Sequence, residues 1–153
     1  MDFDKLKELK VKYDELLDFV IKQNNDPKVT EYKASYSNDD LNNTVLKFCE
    51  KLESDKKIFK LFINRQSRIF GSKYNLKLVP NTSLKSILNK NDEYIWECVQ
   101  LIYAIYRTGD DKYKSRVQKI VESIEKFNLG DLQSEESEDS NVGEKPKNKV
   151  DNM

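Results

Sequence analysis

Apolar side chains recur along most of this chain at intervals of three and four, the spacing that lines one face of an α-helix. From Phe3 to Asn24, Leu6, Leu9, Tyr13, Leu16 and Val20 form one stripe with Leu17 and Ile21 beside it, and Asp26-Pro27 ends the pattern. Residues 24 to 40, "NNDPKVTEYKASYSNDD", mix Asn, Asp, Ser and Pro with isolated Val29, Tyr32 and Tyr36, and read as a connection with one helical turn at most. A second helix is expected after Asn38, Asp39 and Asp40, any of which can cap it, with Leu41, Val45, Phe48, Cys49 and Leu52 inward. A third follows Ser54 or Asp55 and carries Ile58, Phe59, Phe62 and Ile63. Its last turn holds Ile69 and Phe70 and stops at Gly71, the expected left-handed C-cap.

"YNLKLVPNTSL" then alternates Leu76 with Leu78 and breaks at Pro80, which predicts an extended segment laid across the bundle. "NTS" supplies caps for a short helix with Leu84, Ile87 and Leu88. Asn91 or Asp92 starts the next helix, and Asp110 caps a final one with Tyr113, Val117, Ile120, Ile124 and Phe127 before Gly130.

The helix starting near Asn91 is the least polar part of the chain. From Ile95 to Tyr106 only Glu97 and Gln100 interrupt the apolar run. That run is too short for a membrane span, which needs roughly 20 residues. A helix apolar on most of its circumference belongs at the centre of a bundle, so Trp96 and Tyr103 are expected in the core. The pattern therefore predicts an all-α fold: a single bundle of five or six helices around a central helix at about 92–107, forming one domain over residues 1–130. Residues 131–153 have almost no hydrophobes and read as a disordered acidic tail. The first stripe also has the spacing of a short coiled-coil seam, which would let helix 1 pair with its twin in a homodimer.

The composition narrows the chemistry. The chain of 153 residues contains no histidine, which removes His bases, Ser-His and Cys-His pairs and imidazole metal ligands. Cys49 and Cys98 both sit among apolar neighbours and are expected as buried, reduced thiols. Asn42 and Asn81 begin chance glycosylation matches, because the N-terminus "MDFDKLKELK" has no apolar signal segment. No Gly-rich phosphate loop or Cys-x-x-Cys motif occurs. The carboxylate pairs Asp39-Asp40, Asp92-Glu93 and Asp110-Asp111 stand at expected helix starts, where capping explains them. Neither catalysis nor a cofactor is expected.

Charge distribution gives the one strong electrostatic signal. Net charge is zero over the whole chain, yet residues 56 to 90 hold nine basic and no acidic side chains. On the expected third helix these are Lys56, Lys57 and Lys60; beyond it come Arg65 and Arg68, then Lys73 and Lys77, and finally Lys85 and Lys90. Such a stretch can attract phosphates, nucleic acid, anionic lipid heads or an acidic protein, or its lysines can simply solvate the outer face of two helices. The 23 lysines, four arginines and fourteen asparagines also fit A/T-rich codon usage.

The order "LKFCEKLESDKKIFKLFINRQSRIF", "LKLVPNTSLKSILN", "IWECVQLIYAIY" resembles a group of small, largely uncharacterised helical proteins encoded by large nucleocytoplasmic DNA viruses. The likeness covers residues 45 to 106 and departs at Asn81, where the group often has Gly, and at Cys98, where it often has Tyr. It implies a host-cytoplasmic or virion setting and supplies no reaction. The sequence thus leads to a non-catalytic interaction or structural protein with a viral or host protein partner. The alternative is a nucleic-acid or phosphate binder that uses residues 56 to 90.

Overall fold

The computed structural model describes residues 3–80, 82–88 and 93–129. The fold is an all-α bundle. Helix α1 (Phe3–Asn24) buries Leu9, Tyr13, Leu16, Leu17 and Val20 and lies along α6 (Glu93–Arg107), the central helix. On α6, Ile95, Trp96, Val99, Ile102 and Tyr103 are all interior, as the breadth of the apolar run requires. Leu9, Tyr13, Leu16 and Val20 of the α1 stripe are buried in the core.

Residues 24 to 40 hold more structure than their composition implies. Pro27–Ser35 is a helix, α2, with Pro27 in its first turn and the Asp26 side chain accepting from the Lys28 amide at 2.9 Å. Val29, Tyr32 and Tyr36 are spaced by three and four, and the two tyrosines stack on each other with ring centroids 5.3 Å apart. Tyr13 meets Tyr36 edge-on at 5.4 Å. Helix α3 (Asn38–Glu53) is capped one residue earlier than expected. Ser37 Oγ accepts from the Asp40 amide at 3.0 Å, and Asp40 Oδ2 accepts from the Ser37 amide at 2.9 Å, a reciprocal capping box.

Helix α4 (Lys56–Ile63) begins on Asp55, which accepts from the Lys57 amide at 2.8 Å, and buries Ile58, Phe59, Leu61 and Phe62. It ends at Ile63 rather than running on toward Gly71. Asn64 closes the helix and Arg65 adopts the left-handed conformation, φ 54°. The Gln66 amide then donates to Leu61 O at 2.9 Å and the Arg65 amide to Phe62 O at 3.1 Å, the paired bonds of a Schellman cap. Gly71 is accordingly not left-handed: it is extended, with φ −82° and ψ −178°, and it follows a separate 3-10 turn, Ser67–Phe70.

The segment through Leu76, Leu78 and Val79 is buried but not the extended run expected: it bends at Leu78 and Val79 and turns at Pro80, and Tyr13 Oη donates to Leu78 O at 2.7 Å. A single helical turn, α5 (Lys85–Leu88), follows. After α6, Asp110 caps a short 3-10 turn, Asp111–Tyr113, by accepting from the Lys112 amide at 3.0 Å, and α7 (Lys114–Asn128) packs back on α6. The expected caps Asn91 and Asp92 and the expected tail, residues 131–153, lie outside the described residues.

Cys49 and Cys98 are separate, buried thiols. Cys98 Sγ donates to Lys12 O at 3.2 Å, and burial pushes this thiol up to about 12. Burial pushes Cys49 up as well. Among the described residues, no helix is long and apolar enough to cross a membrane.

Candidate anion-binding cleft

The exposed face of α4 is dictated by its buried one. With Ile58, Phe59, Leu61 and Phe62 inward, Lys56, Lys57 and Lys60 must face solvent, and all three do. The 3-10 turn repeats this division, with Ile69 and Phe70 in the core and Arg68 exposed. The next turn is fixed by three backbone bonds: Gly71 N to Arg68 O at 2.9 Å, Asn75 N to Gly71 O at 2.7 Å, and Leu76 N to Ile69 O at 3.1 Å. Asn75 takes the left-handed conformation, φ 53°, that lets the chain leave the turn extended.

This turn faces α5 and the start of α4 across a cleft of about 260 Å³. Four cations from four places in the sequence line it: Lys57, Arg68, Lys73 and Lys85. Ser72 and Tyr74 complete the wall, and Lys73 Nζ lies 5.3 Å from the Tyr74 ring centroid. Gly71 earns its place here by its size. A methyl group on it would stand 3.3 Å from Lys85 Cδ and 3.2 Å from Arg68 O, so a larger residue would push the Lys85 stem or the turn back by a few tenths of an ångström.

Among the described residues, no carboxylate lines the cleft. The ion pairs among the described residues lie elsewhere, at Lys10–Asp14, Lys12–Glu15, Lys33–Asp18 and Arg107–Glu53. None of the four cleft cations forms an ion pair among the described residues, and their mutual repulsion falls when an anion enters. A larger groove, about 640 Å³, runs past Asp4, Lys5, Lys7 and Glu8, where opposite charges offset one another.

The nine basic residues of the segment thus divide. Lys57, Arg68, Lys73 and Lys85 converge on the cleft; Lys56, Lys60 and Lys77 are exposed outside it; Lys90 lies outside the described residues. Arg65 is a correction, because it is 9% exposed and belongs to the interior. Its Nε donates to Gln100 Oε1 at 3.0 Å, and its guanidinium carbon sits 4.3 Å from the Phe127 ring centroid. Gln100 Nε2 donates to Phe62 O at 3.1 Å and to Ser123 Oγ at 3.2 Å, while Ser123 Oγ donates to Ile63 O at 2.6 Å. Side chains of α6 and α7 thereby satisfy the last carbonyls of α4.

Both terminal nitrogens of Arg65 are buried without a hydrogen-bond partner among the described residues. Burial pushes the guanidinium down to about 10, against the opposing influence of Glu97 and Glu93, and at neutral pH it remains charged. The sequence held one sign of this network, a glutamine inside an apolar run. The left-handed Arg65 left none.

Among the described residues, no group of three or more Cys, Asp or Glu gathers as metal ligands. Asp40 and Asp110 are occupied as caps. Comparison with protein-family models, curated proteins and solved structures finds no match for this chain.

Proposed function

We propose that this is a non-catalytic interaction protein whose working surface is the basic face of residues 56–85, and that its partner is a polyanion, in the first place a nucleic-acid strand. One observation carries the reading: four cations converge on a single cleft that, among the described residues, has no carboxylate in its wall. Lys56, Lys60 and Lys77 extend the positive surface beyond it. The lysine-dominated makeup suits phosphate contacts, which position a strand without reading its bases. The non-catalytic part of the proposal draws on a chain without histidine whose two thiols are buried and held neutral. The large-DNA-virus setting, host cytoplasm or virion, rests on the resemblance of residues 45 to 106.

Binding of a single-stranded oligonucleotide across a salt series tests the reading. Phosphate contacts release counterions, so log affinity is expected to fall linearly with log salt, with a slope near −0.7 for each phosphate engaged on a single strand. Exchanging Lys57 and Arg68 for glutamine should flatten the slope by about one to two contacts' worth. Binding that ignores salt, or no binding at low salt, would reject a polyanion partner.

A further inference from the structure

Building on that reading of the basic face, we propose that the cleft seats the terminal phosphate of a nucleic-acid strand. A phosphomonoester dianion enters the cleft, and internal phosphates of the same strand lie along Lys56 and Lys60.

The size of the cleft favours an end over a middle. At about 260 Å³ it falls just below the roughly 300–1,000 Å³ of ordinary small-molecule sites, so it takes a phosphate with its first sugar rather than a length of chain. An internal phosphodiester carries one charge and must enter and leave on both sides. A terminal phosphate carries nearly two charges and leaves on one.

The donors favour the same choice. The Ser72 hydroxyl and the Lys57, Arg68, Lys73 and Lys85 side chains, all at exposed positions lining the cleft, supply more donors than the two free oxygens of a diester can use. The three oxygens of a monoester use them better.

Two features select a strand over a free phosphate. Tyr74 stands half-buried in the cleft wall, where the first base can stack on its ring. On α4, Lys56 and Lys60 are exposed one helical turn apart, about 5–6 Å, and offer further phosphate positions next to Lys57.

The test compares two single-stranded oligonucleotides of one sequence, one with a 5′-phosphate and one with a 5′-hydroxyl, both labelled at the 3′ end and followed by fluorescence anisotropy with the full chain. The phosphorylated strand should bind about tenfold tighter, the effect of one or two added charge-assisted hydrogen bonds. Arg68→Gln and Lys85→Gln, both at exposed positions, should erase the difference, whereas Lys60→Gln should weaken both strands by the same factor. Equal affinity of the two strands overturns the end-seat and leaves the polyanion reading standing. Absence of binding by either strand overturns both. A phosphoserine peptide that displaces the phosphorylated strand more effectively than unlabelled strand does would move the seat from nucleic acid to a phosphoprotein.

Discussion

Arg65 and Gln100 meet inside the bundle, the guanidinium Nε donating to the amide oxygen at 3.0 Å, at a point where α4, α6 and α7 converge. Gln100 is fully buried, and it serves both a charged donor and the end of a helix. Replacing it with Leu strands the guanidinium and the Phe62 carbonyl together. The Gln100→Leu variant should lose about 3 kcal/mol, as expected for a buried charge deprived of its partner. Adding Arg65→Met should restore part of that loss. Urea denaturation of the two single variants and the double variant measures the coupling.

Trp96 is 2% exposed and packs between Phe62 and Phe70, with ring centroids 6.4 and 6.2 Å away. Trp96→Ala should destabilise by about 3–5 kcal/mol. A change below about half a kcal/mol would mean that the central helix does not carry the core.

Several phenols resist ionisation. Burial raises the hydroxyls of Tyr13, Tyr36 and Tyr103 above the usual value, helped by hydrogen bonds to Tyr32, Asp14 and Glu53 respectively. Their folded-state values exceed their unfolded ones, so the folded state holds more protons at alkaline pH. The stability they contribute is complete below pH 10 and declines as pH rises beyond it. Phenolate absorbance should therefore lag the normal tyrosine curve and then climb together with loss of helical circular dichroism. Smooth titration of all eight tyrosines near pH 10 in folded protein would contradict the burial.

Neither thiol should react in the native protein. Iodoacetamide at neutral pH is expected to leave both Cys49 and Cys98 unmodified until denaturant is added, because both are buried and pushed toward the neutral form. Mass spectrometry reads the outcome directly.

Residues 131–153 carry seven acidic and three basic side chains and are joined covalently to the domain that bears the cleft. Joined this way, they are expected to compete with an added polyanion at high effective concentration. Deleting them should tighten heparin binding severalfold at low salt and little at high salt, where screening dominates. Equal affinities at low salt would show that they do not reach the basic face.

The sequence made the long, strongly periodic elements legible. The bounds of α1 and the burial of the α6 run follow from spacing alone, since each has enough apolar residues to fix a face. Helix α2 escaped because its apolar residues are sparse, although Val29, Tyr32 and Tyr36 stand at helical intervals and Asp26-Pro27 is a start signal as well as a stop. The Ser37 cap was hidden by a box closed with Asp instead of Glu. At Arg65 a local preference was overridden: glycine is the usual left-handed cap, yet here an arginine takes the conformation and Gly71 is kept for close packing. The charge imbalance that marks the basic face was plain. Its division into cleft, outer face and core was not, because three-dimensional convergence of Lys57 with Lys85 depends on a 3-10 turn and an irregular, bent crossing between them.

The contact of α1 with α6 also sets an order of events during synthesis. The first helix leaves the ribosome with its apolar face complete, but the helix it lies along is made only after residue 93, and the Tyr13 bond waits for Leu78. Helix α2 can cover part of that face at once, but chain growth at about 5–20 residues per second leaves the rest without α6 for several seconds. A chain stalled before α6 would keep that apolar surface open, while one completed through Arg107 can close the bundle around its centre.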